Sequence, residues 1–200
     1  MTVNDAQGIT AGDTDNSRRH RFRDRALARW PTALAIGLTL VSLDGGESDG
    51  TVEGFGEALP LLALGYLVLA KLQRRRASWP VVLTGLAGMV LLRALDVVSP
   101  SAVWVALALV VLVWGAIDGQ LRESGTLRVQ ALGMAAFAAL AIGGLAVDPD
   151  VGRYVVAAGW FLHGVWDLVH LRLDKVVARS FAEWCGVFDI LVAAQLVLLA

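Results

Sequence analysis

From Trp30 to its C-terminus the chain repeats one kind of unit, an apolar run closed by a short polar connection. The seven runs cover roughly residues 30–43, 57–72, 79–98, 101–118, 128–147, 151–171 and 181–200. A helix rising 1.5 Å per residue needs about 20 residues to cross a hydrocarbon core about 30 Å thick. Most of the runs come close to that length. No alternating strand pattern is present, so the backbone must close its hydrogen bonds within helices. The fold class expected is therefore all-α: a polytopic transmembrane helical bundle of seven spans, or six if the short first run does not cross. Composition agrees, since 56% apolar and 18% charged residues with a mean hydropathy of +0.63 lie outside the range of an ordinary soluble domain.

Residues 1–29 are different. They lack apolar periodicity, are rich in Asp, Asn, Gly, Thr and Ser, and end in Arg18, Arg19, His20, Arg21, Arg23, Arg25 and Arg29. Burial there cannot offset the entropy of ordering, so the segment reads as a disordered basic tail ahead of a membrane domain over 30–200.

The basic residues also orient the bundle. Of the 17 Lys and Arg, all but Arg93 and Arg153 fall in the tail and in segments 71–76, 122–128 and 172–179, which are alternate connections of a seven-span chain. Asp44, Glu47, Asp49, Glu53 and Glu57 occupy an intervening connection, and Asp148 and Asp150 another. Lys and Arg are retained on the cytoplasmic side. The expectation is a multi-pass protein of a bacterial plasma (inner) membrane, N-terminus in the cytoplasm and C-terminus outside. The bilayer is then its first partner. Arg74, Arg75 and Arg76 suit orientation and anionic lipid rather than nucleic acid.

Ionisable groups inside a span are costly, about 2.5–3.5 kcal/mol each at a helix centre, so each asks for a reason. Arg93 and Asp96, three apart in the third run, are placed to pair with each other. The sixth run carries Trp160, His163, Asp167, His170 and Asp174, which at 100° per residue form a polar stripe on one helix face. Asp167 stands four residues after His163 and three before His170, within reach of either imidazole. In the seventh run Cys185 and Asp189 share a face, and rise per residue sets Asp189 level with His163. Short connections make consecutive helices neighbours. The candidate site is thus His163, Asp167, His170 and Asp189, opening toward the cytoplasmic half, with Trp160, Trp166, Trp184, Cys185 and Glu183 around its pocket.

Two imidazoles and two carboxylates match the ligand types of a divalent metal such as zinc. They equally match a proton relay or an acid–base pair. Aromatic walls around an acid suit an apolar substrate such as a lipid or isoprenoid. Acid–base or metal-assisted chemistry on such a molecule is the leading expectation. A proton- or cation-coupled small-molecule carrier and a non-catalytic scaffold are the alternatives. Bis-histidine haem is set aside because His163 and His170 share one run, and a retinal Schiff base because Lys71 and Lys175 lie at interfaces. The seven-span layout resembles in topology the alkaline ceramidase and progestin-receptor-like hydrolase group. That group carries metal histidines on separate helices and a pair on its last helix, whereas residues 181–200 hold no histidine, so the resemblance implies no site residue.

Overall fold

The structure, a computed structural model, describes residues 29–44 and 51–198. The expected tail, except for Arg29, lies outside the described residues. Among those described, all regular structure is helical: α1 (Trp30–Asp44), α2 (Thr51–Leu72), a 3₁₀ turn (Arg75–Ala77), α3 (Ser78–Leu95), α4 (Pro100–Ile117), the single turn α5 (Gln120–Glu123), α6 (Gly125–Ala146), α7 (Pro149–Leu173) and α8 (Arg179–Leu198).

Local chemistry explains the ends. Pro100 and Pro149 open α4 and α7 at the first turn, where no amide donor is missed. Asp148 caps α7 by accepting from the amide of Asp150 at 3.0 Å, and Ser124 caps α6 through the amide of Leu127 at 3.2 Å. α3 and α7 both stop on a left-handed aspartate, Asp96 (φ 47°) and Asp174 (φ 50°), a residue type that tolerates that conformation.

α2 is the central helix, packing against α3, α4, α6 and α7, while α8 lies between α7 and α1. Side chains from distant connections meet at two ends. At one, Arg29 bonds Glu183, Lys71 pairs with Asp118, Arg75 pairs with Asp174, and the Trp79 indole donates to Ser180. At the other, Arg93 pairs with Glu57, and the Trp160 indole donates to the carbonyl of Phe55 at 3.0 Å. Successive long helices therefore run antiparallel, with the basic connections gathered at one end.

α2, α3 with its preceding turn, α4, α6 and α8 are long and apolar enough to cross a membrane. α1, at 15 residues, is about 22 Å long and short of a full crossing. α7 has 25 residues, ample length, but its polar stripe keeps it outside the apolar class. The described residues thus hold five helices able to span a membrane, and the seven-span count remains a proposal.

Several local expectations are corrected. α2 begins at Thr51 rather than 57, so Glu53 and Glu57 stand on the helix and not in a loop, and Pro60 falls inside α2, where it cannot donate to the carbonyl one turn back. Pro149 starts α7, two residues ahead of the apolar run expected from 151. Arg93 reaches across to Glu57 on α2, at 2.9 and 3.1 Å, rather than to Asp96 on its own helix. The αL turn at Asp96 ends the helix just there, so the i, i+3 geometry that would have paired them is broken.

The α7–α8 connection is clasped to the α2–α3 connection. Arg75 pairs with Asp174 and donates to the carbonyl of Val177 at 3.1 Å, while the Ser78 hydroxyl accepts from the amide of Ala178 at 2.9 Å. The Arg75 guanidinium holds the Asp174 carboxyl below its ordinary range, with Arg179 adding to the effect. A carboxylate depressed in the folded state contributes stability above its unfolded value, near 3.9, and loses it as pH falls through the folded value. Protection against hydrogen exchange at residues 174–178, with the intrinsic pH dependence of amide exchange divided out, is expected to fall below about pH 4 in wild type. Asp174→Asn should show that lower protection already at neutral pH, and protection independent of pH in wild type would refute the clasp.

Candidate functional site

Two glycines bring α7 and α8 close enough for their polar groups to bond. A Cβ on Gly164 would lie 3.2 Å from the carbonyl oxygen of Gly186 and 3.3 Å from Asp189 Cβ, and one on Gly186 would lie 3.3 Å from Asp167 Cβ. Small residues at such a crossing let the backbones approach, as helix pairs in lipid require. The predicted level also holds, because His163 Nδ1 is 2.7 Å from Asp189 Oδ2. The same nitrogen is 3.1 Å from Asp167 Oδ2. One imidazole edge therefore faces two carboxylates, one from its own helix and one from α8. All three side chains are fully buried.

α2 adds a fourth member. The Tyr66 hydroxyl donates to Asp167 Oδ1 and is itself buried, with its ring edge-on to His163 at 5.7 Å between centroids. Asp167 thus accepts from both Tyr66 and His163. Asp189 is less satisfied: its Oδ1 has no hydrogen-bond partner among the described residues, and neither has His163 Nε2. Unpaired buried polar atoms are rare and costly, so these two are where the cluster is incomplete.

His170 stands apart from this group. Its Nδ1 lies 2.9 Å from the carbonyl of Trp166, which assigns that nitrogen the proton. Its Nε2 then accepts from the Gln130 amide at 2.9 Å, and the Gln130 oxygen accepts from the Trp166 indole at 3.3 Å. The loop is closed, and both imidazole nitrogens are used. His170 locks α7 to α6 and does not join the His163, Asp167 and Asp189 cluster. Trp166 belongs to that lock, against Gly133 and Phe137, rather than to the pocket. Glu183 accepts from Thr32 at 2.6 Å and from Arg29, fastening α1 to α8.

Trp160, Trp184, Cys185 and Asp189 do line a cavity of about 490 Å³ between α2, α3, α7 and α8. Its walls are mainly apolar, including Phe55, Leu61, Val82, Leu86, Met89 and Phe188. It extends to Thr51, Gly54, Arg93 and Gln195, at the end opposite the basic connections. This corrects the expected opening toward the basic half. That side is filled by edge-on and tilted contacts among Trp30, Trp79, Phe181 and Trp184 at 5.4–6.1 Å.

Outside the spans, Lys71 donates to Asp118 and holds that carboxyl below its ordinary range. The ammonium also sits 4.3 Å above the Trp114 ring, which ties α2 to α4.

His163, Asp167 and Asp189 are the one group of at least three potential ligands among the described residues, each offering one donor atom within 4.8 Å of the others. The donor types suit a divalent metal. Their spacing is that of hydrogen bonds, since donors around tetrahedral zinc, bound at about 2.0–2.1 Å, stand farther apart than 2.7 Å. At that spacing the groups bond one another, and a metal would require them to part. Two partners could not be read from the charged residues alone: Tyr66 in the cluster and Gln130 in the His170 lock are uncharged hydrogen-bonding groups inside apolar runs, and that is the signal that would have found them. Comparison with protein-family models, with curated proteins and with solved structures finds no match to this chain.

Proposed function

We propose that this chain is a seven-span inner-membrane protein whose His163–Asp167–Asp189–Tyr66 cluster performs acid–base chemistry on a lipid-like molecule held in the adjoining cavity. The N-terminus faces the cytoplasm, a placement supported by the basic connections sharing one end. The observation that carries the reading is Asp189. It is a fully buried carboxyl on the wall of an apolar cavity, with Oδ2 on His163 and Oδ1 without a partner among the described residues. A general acid or base needs one face toward the reacting group and another toward a proton reservoir. Asp189 has both, since His163 Nδ1, Asp167 and Tyr66 form a chain behind it along which a proton can be redistributed. In this scheme Asp189 gives or takes the proton at Oδ1, His163 exchanges it through Nδ1, and Asp167 with Tyr66 orients the imidazole.

Dicyclohexylcarbodiimide tests this. It is an apolar reagent that adds to protonated carboxyls, so it reports an acid reachable from an apolar cavity. Mass spectrometry of the treated protein in detergent is expected to locate the adduct on Asp189. The adduct should vanish in Asp189→Asn and persist in Glu183→Gln. Labelling confined to other carboxyls would overturn the reading. So would a stoichiometric divalent metal in the purified protein that is lost in His163→Ala, which would make the cluster a metal centre instead.

A further inference from the structure

Beyond the acid–base cluster lies the question of what the cavity is built to receive. We infer that its ligand is a lipophilic organic cation, an apolar body bearing an ammonium or comparable positive charge, held against Asp189. The inference rests on the reading of Asp189 above as the cavity's working group, and three independent features support it.

The first is charge. Two carboxylates, Asp167 and Asp189, face one imidazole, so with both ionised the cluster lacks one positive charge, and no Lys or Arg of the described residues bonds to either. Uncompensated charge in a low-dielectric interior is strongly unfavourable, so either a proton on Asp189 or a cation at its Oδ1 must balance it, and a bound cation takes the proton's place. The second is the wall. Trp160, Trp184, Phe188 and Phe55 border the cavity, with Trp184 and Phe188 stacked at 5.6 Å, and aromatic faces attract cations once water is excluded. The third is the entrance. Arg93 lines both the cavity and an outer recess that also holds Glu53, Glu57 and Asp96, so three acids surround one guanidinium there. Arg93 is already engaged by Glu57, which leaves the recess attractive to cations and hostile to anions.

An anionic headgroup fits poorly. It would meet Glu53 and Asp96 at the entrance, beside Glu57 on Arg93, and another pair of acids within. A neutral lipid carries no charge to exchange for the proton on Asp189.

The probes are tetraphenylphosphonium and tetraphenylborate, ions of one shape and opposite charge. Binding is measured by equilibrium dialysis and tryptophan quenching, using the full chain in nanodiscs of zwitterionic lipid with empty nanodiscs as the blank. Saturable binding of about one phosphonium per chain is expected, as for a single buried site. Asp189→Asn should weaken it about 10- to 100-fold, the range for losing one charge-assisted contact. Ala58→Trp, which fills the cavity from its α2 wall, should weaken it as well. Tetraphenylborate, titrated alone, should show no saturable binding. Saturable borate binding of similar affinity, or phosphonium binding unchanged in Asp189→Asn, overturns the inference; if that variant does not fold, the separate borate titration of wild type decides. Carbodiimide labelling is independent of all this. Asp189 labelled without phosphonium binding sinks the ligand class alone, and Asp189 unlabelled sinks the acid–base reading beneath it.

Discussion

Gly164→Val is expected to lower stability by about 3 kcal/mol, the upper part of the range for overpacking a close contact. The added Cβ alone would lie 2.9 Å from Ile190 Cγ1, 3.2 Å from the Gly186 carbonyl oxygen and 3.3 Å from Asp189 Cβ. Ile190 can rotate away, but the carbonyl oxygen belongs to the α8 backbone and cannot yield without moving that helix. Because His163 and Asp189 meet only 2.7 Å apart across this crossing, a shift of an ångström also breaks their hydrogen bond. Thermal unfolding in detergent should show the loss, and carbodiimide labelling of Asp189 should change with it. Gly143→Val is the control, since nothing lies within 4 Å of a Cβ there. Equal behaviour of the two variants would mean that α7 and α8 are not held at this crossing.

His163→Leu is expected to cost about 3–5 kcal/mol, the range for removing one partner from a buried pair. Leucine nearly fills the space but leaves Asp167 and Asp189 facing each other without the imidazole that now donates toward both at 3.1 and 2.7 Å. The loss belongs to the stranded carboxylates rather than to missing volume. His163→Leu combined with Asp189→Leu should therefore recover much of it, giving a coupling energy of about 1 kcal/mol or more in a double-mutant cycle. Denaturant titration in mixed micelles measures all four corners. A single variant within the error of wild type would remove the electrostatic account of the cluster.

The helical character of the chain and the register of the last two helices were legible because both follow from period and rise. A 3.6-residue repeat sets His163 and Asp167 on one face, and 1.5 Å per residue sets Asp189 opposite. Tertiary partners carry no such signature. Nothing local to Asp96 says that Arg93 turns to Glu57, because Glu57 joins a helix only when α2 begins at Thr51. The separation of His170 from His163 was equally hidden: both lie on the predicted stripe, and only Gln130 on α6, donating to one of them, divides a structural imidazole from a chemical one. The direction in which the cavity opens depends on how aromatic rings from α1, α3 and α8 pack at the basic end, which no single run contains.

The partners of the α7 stripe emerge from the ribosome at different times. Tyr66 and Gln130 precede it in the chain, so Asp167 and His170 meet waiting hydroxyl and amide groups as soon as α7 is made. Asp189 follows His163 by 26 residues. During synthesis the imidazole must wait, served only by its own helix, until α8 arrives, so a helix translated after the stripe is the one that completes the centre.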